Sequence, residues 1–153
     1  MEQLGFDEFY RTHWSDAARW AAAVVGRVEV GEELAQDVFA RLGGRYSSLD
    51  NPVGYLRRAV VNAGRSWLRS EGRLRSREAR VGSVSVPPTD ASPTDTSTLA
   101  ALDGLAERQR LVVILRYWAD WADEDIAAAL DCPASTVRSL ARRGLAHLRE
   151  ELS

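Results

Sequence analysis

Apolar residues recur at helical spacing on both sides of one polar stretch, and their arrangement predicts an all-α chain. From about Phe6 to Val25, Phe9, His13, Trp14, Ala17, Trp20 and Val24 form one broad stripe. From about Gly31 to Leu42 the stripe is Leu34, Val38, Phe39 and Leu42. A third helix, from about Pro52 to Arg73, carries Leu56, Ala59, Val60, Ala63 and Trp67, and opens on a proline suited to a helix's first turn. From Leu105 to Leu152 the pattern reads as two helices, a short helix, a tight turn and a final long helix.

The last two of these helices are the most informative. In Asp123 to Leu130, Ile126, Ala127 and Leu130 supply the apolar side, and Asp123, Glu124 and Asp125 crowd the first turn, where carboxylates face the positive end of the helix dipole. Asp131, Cys132 and Pro133 break the pattern. Ala134 to Leu148 resumes it, with Val137, Ala141, Leu145 and Leu148 on one stripe and Arg138, Ser139, Arg142 and Arg143 opposite. A helix that buries one stripe and offers guanidinium and hydroxyl groups on the other fits a DNA major groove, where arginine pairs bidentately with guanine and also binds phosphate. The alternative is a solvated face on an ordinary helical hairpin. No acid lies between Asp131 and Glu150 to neutralise the arginines, which favours the helix-turn-helix.

Between the two helical parts, Gly82 to Thr98 is rich in Ser, Thr, Pro and Asp and cannot bury enough apolar surface to fold alone. The expected organisation is therefore a helical unit over residues 1–81, a flexible linker over 82–98, and a second helical unit over 99–153. Such a tether would let two domains hold separate sites on one target, each raising the other's effective concentration.

The formal net charge is −2, which by itself argues against nucleic acid, but its distribution reverses that. Acids dominate the first forty residues, whereas Arg57 to Arg80 holds many arginines against only Glu71 and Glu78. All 20 basic residues are arginine, the signature of a GC-rich bacterial genome. The single cysteine, Cys132, has no internal disulfide partner, and its place in the turn suggests a small buried side chain. His13 and Trp14 read as packing residues, since nothing stands at metal-ligand spacing beside them. No apolar run reaches the length of a membrane span and no signal peptide precedes Phe6, so a cytoplasmic protein without membrane insertion is expected. Neither a cofactor nor a metal is implied.

Two faces of the first unit remain. Helix two leaves Glu33, Gln36, Asp37 and Arg41 outside, an acidic face that alone reads as solvated surface. Helix three carries Arg58, Asn62, Arg65 and Arg69 at i, i+4, i+7 and i+11, with no acid from Val53 to Ser70. That stripe is a positive field, and arginine mixed with Asn and an indole suits phosphates and unstacked bases.

The ordered set of these segments resembles a known family. Glu33-Leu34-Ala35-Gln36-Asp37-Val38-Phe39 is followed by Tyr55-Leu56-Arg57-Arg58-Ala59-Val60-Val61-Asn62 and the polar linker. Then come Arg108-Gln109-Arg110 with Leu115-Arg116-Tyr117, Glu124-Asp125-Ile126-Ala127, and Ser135-Thr136-Val137-Arg138-Ser139. The chain resembles, over nearly its whole length outside the linker, the extracytoplasmic-function sigma factors, group four of the sigma-seventy family of bacterial RNA polymerase. The resemblance implies a three-helix sigma region two before the linker and a four-helix, helix-turn-helix sigma region four after it. It further implies that Glu33, Gln36 and Asp37 dock on the clamp of the polymerase's largest subunit, with region four meeting the flap of the second largest. Arg58, Asn62, Arg65 and Arg69 would then open and read the minus-ten element, with a flipped base captured in the loop from Ser47 to Asn51, Ser48 and Asn51 among its residues. Ser135, Thr136, Arg138, Ser139, Arg142 and Arg143 would read the minus-thirty-five element. A further implied partner is an anti-sigma factor covering these faces.

The chain departs from the family pattern at four places. Leu140 stands where a basic residue is usual, Asp131 where glycine is, Ala122 at a cap position usually held by serine, and Pro133 near a usual serine or threonine. Loss of the cap hydroxyl would cost about 1 kcal/mol, and Gly144 inside the last helix a similar amount. Leu140 is expected to remove a DNA contact.

Two other function classes stay open. A conventional helix-turn-helix regulator, of the response-regulator output type, accounts for the second unit equally well and leaves the first eighty residues unexplained. It would usually dimerise to match two half-sites. An enzyme could be imagined around Asp123, Glu124 and Asp125, but a helix's first turn already accounts for them, and no phosphate-binding loop, nucleophile elbow or metal cluster is present in the sequence.

Overall fold

The computed structural model describes residues 5–78 and 101–152, with residues 72–78 by backbone alone. Six α-helices order the described chain: α1 (Phe6–Val25), α2 (Val28–Gly43), α3 (Pro52–Glu78), α4 (Glu107–Tyr117), α5 (Asp123–Leu130) and α6 (Ala134–Leu152). A 3-10 turn at Tyr46–Ser48 precedes α3, and a helical stretch over residues 101–103 precedes α4. No strand occurs among the described residues. The linker expected over 82–98 lies outside them.

The predicted stripes are the ones that pack. In the first unit Phe9, Ala17, Val24, Val38, Phe39, Leu42, Leu56 and Val60 are all buried, and His13 stands against Phe9 with ring centroids 4.5 Å apart. Helix α2 begins three residues earlier than periodicity alone suggested. The reason lies in Gly26, whose left-handed backbone (φ 81°) ends α1 and sends its N–H to the Ala22 carbonyl, so that α2 can start at Val28. Gly31 then lets the two helices touch, because a Cβ there would sit 2.5 Å from the backbone nitrogen of Ala22.

In the second unit Leu111, Val112, Leu115, Ile126, Leu130, Val137 and Ala141 form the core, and Leu102, Leu105, Val113 and Leu148 close its far side. Gly144 is where α4 and α6 meet most closely, since an added Cβ would lie 2.7 Å from Val113 Cγ2. The glycine that looked like a helix weakness is thus required by packing. Asp131 ends α5 in a left-handed conformation (φ 56°), a region that favours glycine and that aspartate tolerates. The next N–H, that of Cys132, returns to the Ala127 carbonyl at 3.0 Å, and the half-buried Cys132 side chain packs against the core. Ala122 makes no side-chain cap for α5.

One apolar cluster runs without a break from the first unit into the second. At the joint, Trp20 of α1 meets Trp121, in the loop before α5, edge to face, with centroids 5.1 Å apart. Helix α3 lies along α5, and α1 reaches α4.

Candidate nucleic-acid and polymerase interfaces

Three surfaces carry the residues singled out in the sequence. On α2, Glu33, Gln36 and Asp37 are all exposed, because Ala35, Val38 and Phe39 turn the other side of the helix into the core. Asp37 and Arg41 form one wall of an open groove of about 460 Å³ whose opposite wall is α3, with Arg58, Asn62, Ser66 and Trp67. The carboxylate of Asp37 and the guanidinium groups of Arg41 and Arg58 therefore border a single depression. Its base is partly aromatic, so it can take an apolar or planar group between charged rims.

On α3, Arg58, Asn62 and Arg69 are exposed and Arg65 is half-buried. Arg58 and Arg65 have other partners. Arg58 Nη2 donates to the Ala128 carbonyl at 2.6 Å, and Arg65 Nε donates to Glu107 Oε1 at 2.6 Å. Both partners belong to the second unit, so two of the four arginine and asparagine positions expected to face DNA are held against the rest of the protein.

The loop before α3 is more local than expected. Asn51 Oδ1 accepts the Gly54 N–H at 3.1 Å, which makes Asn51 the N-cap of α3. The signal for this was in the sequence, an asparagine directly before a helix-opening proline. Ser48 Oγ donates to the Arg45 carbonyl at 2.7 Å, while Ser47 and Ser48 both remain exposed beside it.

The third surface is α6. Ser135, Arg138, Arg142 and Arg143 are exposed, with Thr136 and Ser139 half-buried between them, on the side away from Val137, Ala141, Gly144 and Leu148. Among the described residues no carboxylate lies within ion-pair distance of Arg138, Arg142 or Arg143. Leu140 is half-buried against the core, and so serves packing at the edge of this face. Two of the three acids of α5 are occupied: Asp123 lies 3.4 Å from Arg116 Nε and Asp125 3.2 Å from Arg57 Nη1. Among the described residues no group of histidines, cysteines and carboxylates is placed to hold a metal.

The model of sigma-70 region 4 matches residues 101–150. The chain is 33% identical to an RNA polymerase sigma-E factor of Streptomyces coelicolor, over 99% of this chain and 88% of that protein. With an RNA polymerase sigma-E factor of Streptomyces avermitilis it shares 34% identity over 99% and 87% of the two chains. Its fold matches that of the sigma factor RpoE from Bartonella quintana, solved with the anti-sigma factor NepR, at a TM-score of 0.73 and 24% identity over 96% of each chain. It also matches CnrH, solved with the cytosolic domain of CnrY, at a TM-score of 0.70 and 20% identity over 96% of this chain and 86% of that one.

Proposed function

The chain belongs to the extracytoplasmic-function sigma factors of bacterial RNA polymerase, and from that premise we propose how its surfaces divide the work of promoter recognition. It directs core polymerase to specific promoters and initiates transcription. The relatives match along the whole chain, first eighty residues included, which a stand-alone helix-turn-helix regulator would leave without a purpose.

Residues 1–81 form the unit that binds the polymerase clamp and reads the minus-ten element, and 99–153 the unit that reads the minus-thirty-five element, with 82–98 as tether. Helix α6 enters the major groove of the upstream element, placing Ser135, Thr136, Arg138, Ser139, Arg142 and Arg143 against bases and phosphates. The observation that carries this is the exposed row of arginines on α6, without a carboxylate partner among the described residues. Phosphate neutralisation by such a row supplies affinity that falls with salt. Glu33, Gln36 and Asp37 dock on the clamp, and region four meets the flap. Arg58 and Asn62, across the groove from Asp37, hold the opened minus-ten strand together with Arg65 and Arg69 of the same helix, and a flipped base sits by Ser48 and Asn51. Unstacking that base costs a few kcal/mol, which the basic helix and the loop return. No step calls for a catalytic group. The protein acts where polymerase and promoters are, in the cytoplasm, and no helix among the described residues is long and apolar enough to cross a membrane.

Transcription from a pooled library of genomic fragments, with core polymerase and with or without this protein, tests the proposal. Starts that appear only with the protein and share two upstream elements are expected. Binding to duplex DNA without any such starts would overturn it.

A further inference from the structure

We propose that Arg57 is a latch that holds the two units of the free chain closed, withholding Arg58 and Arg65 from DNA while leaving the recognition helix α6 available. The purpose of the latch rests on the sigma-factor reading, but its geometry does not.

Arg57 projects from α3 and touches both units at once. Its guanidinium carbon lies 5.9 Å from the ring centroid of Trp20, in its own unit, and 5.8 Å from that of Trp121, in the other. Its Nη1 lies 3.2 Å from Asp125 Oδ1, at the start of α5. A guanidinium between two indoles and a carboxylate gains cation–π attraction on a partly desolvated site and an ion pair together. The two indoles also pack edge to face on each other, so the cation and the aromatic pair support one contact.

Three further arginines of the first unit repeat the polarity of the joint. Arg58 donates to the Ala128 carbonyl, one of the last four in α5, which no intrahelical N–H can reach. A cation there also meets the negative end of the helix dipole. Arg65 pairs with Glu107 at the start of α4, and Arg19 Nη1 lies 3.4 Å from the Trp118 carbonyl. Cations come from the first unit and acceptors from the second at every one of these contacts.

The joint is also built to open. Arg57 Nε and the indole Nε1 atoms of Trp20 and Trp121 are all buried with no hydrogen-bond partner. Each donor recovers a partner when water returns, which sets a standing cost against closure. Closure and opening are thereby brought within reach of a binding partner's energy. Meanwhile Arg138, Arg142 and Arg143 stay exposed in the closed form. The free chain can therefore meet duplex DNA through α6 while α3 waits for the units to part.

A charge swap read by distance tests the latch. Spin labels are placed on cysteines replacing the exposed Arg11 and Arg149, with Cys132→Ser, and the distance distribution of the full chain is measured without DNA or polymerase. The parent should give one narrow, short distance. Arg57→Glu and Asp125→Arg should each raise the open fraction by about tenfold, and the double variant should restore most of the closed population. Asp125 is partly exposed, so Asp125→Arg alone carries the test if Arg57→Glu disturbs folding, which circular dichroism reports. An unchanged narrow distribution in Asp125→Arg, or a double variant as open as the singles, would overturn the proposal. Because polymerase is absent, that failure leaves the assigned function standing, and a failure to initiate transcription leaves the latch standing.

Discussion

Helices α3 and α6 carry two arginine rows that look alike along the chain and are not alike in the fold. Each buries an apolar stripe and shows guanidinium groups opposite, with no acid from Val53 to Ser70 on the one or between Asp131 and Glu150 on the other. On α6 the row has no carboxylate within ion-pair distance among the described residues. On α3, Arg58 and Arg65 are held by Ala128 and Glu107, acceptors 70 and 42 residues further along the chain. A charge without a partner on its own helix is therefore unpaired only if the tertiary fold brings none. Under the proposed function, α6 would meet DNA as it stands, whereas α3 would first give up contacts.

The largest effect is expected from removing what holds α6 in place. Gly144→Leu would drive a side chain into Val113 and should cost about 3 kcal/mol, seen as a lower thermal midpoint together with lost duplex DNA binding. An unchanged midpoint would show that α4 and α6 can move apart freely. The comparison itself is tested by Arg142→Ala against Arg58→Ala. By anisotropy on promoter duplex, Arg142→Ala should weaken the free chain by about 1–3 kcal/mol and reduce the salt slope by about one. Arg58→Ala should leave that affinity unchanged and lower strand opening, read by permanganate reactivity in the presence of polymerase. Equal losses of duplex binding would erase the distinction between the rows.

Leu140→Arg extends the free row at the expense of packing. We expect a steeper salt dependence of duplex binding and a stability loss of about 1–2 kcal/mol, since a half-buried leucine leaves the core. If the salt slope does not change, position 140 does not face DNA. Ala122→Ser restores the missing cap of α5 and should add about 1 kcal/mol in denaturant titration. The smallest change is Glu107→Gln, which frees Arg65. Both side chains are partly exposed, so stability should fall by less than about 1 kcal/mol, and a larger loss would mean that the pair is more shielded than its exposure indicates.

Much of the architecture was legible from periodicity. The limits of α1 and the start of α3 stand where the apolar stripe and the Asn51-Pro52 pair put them, and the turn between α5 and α6 lies at Asp131 to Pro133 as the break in pattern indicated. The acidic face of α2 and the arginine face of α6 were also plain, because a helix that buries one stripe must expose its opposite. Other features were less so. Asn51 caps α3 through its side chain, a role separate from the DNA contact expected of it, although the capping signal was there to be read. Gly144 and Gly31 looked like local weaknesses or nothing at all, since close approach of two helices depends on atoms distant in sequence.

What the amino-acid order determined by itself was the list of helices, the face each one buries, and the residues left outside. These follow from side-chain spacing and turn chemistry, which act within a few residues. What only the tertiary structure decided was how the two units meet. That depended on Trp20 finding Trp121, and on arginines of α1 and α3 finding acceptors in or beside α4 and α5. Each contact joins residues far apart in the chain, where no periodicity links them, and together they divide one arginine row from the other.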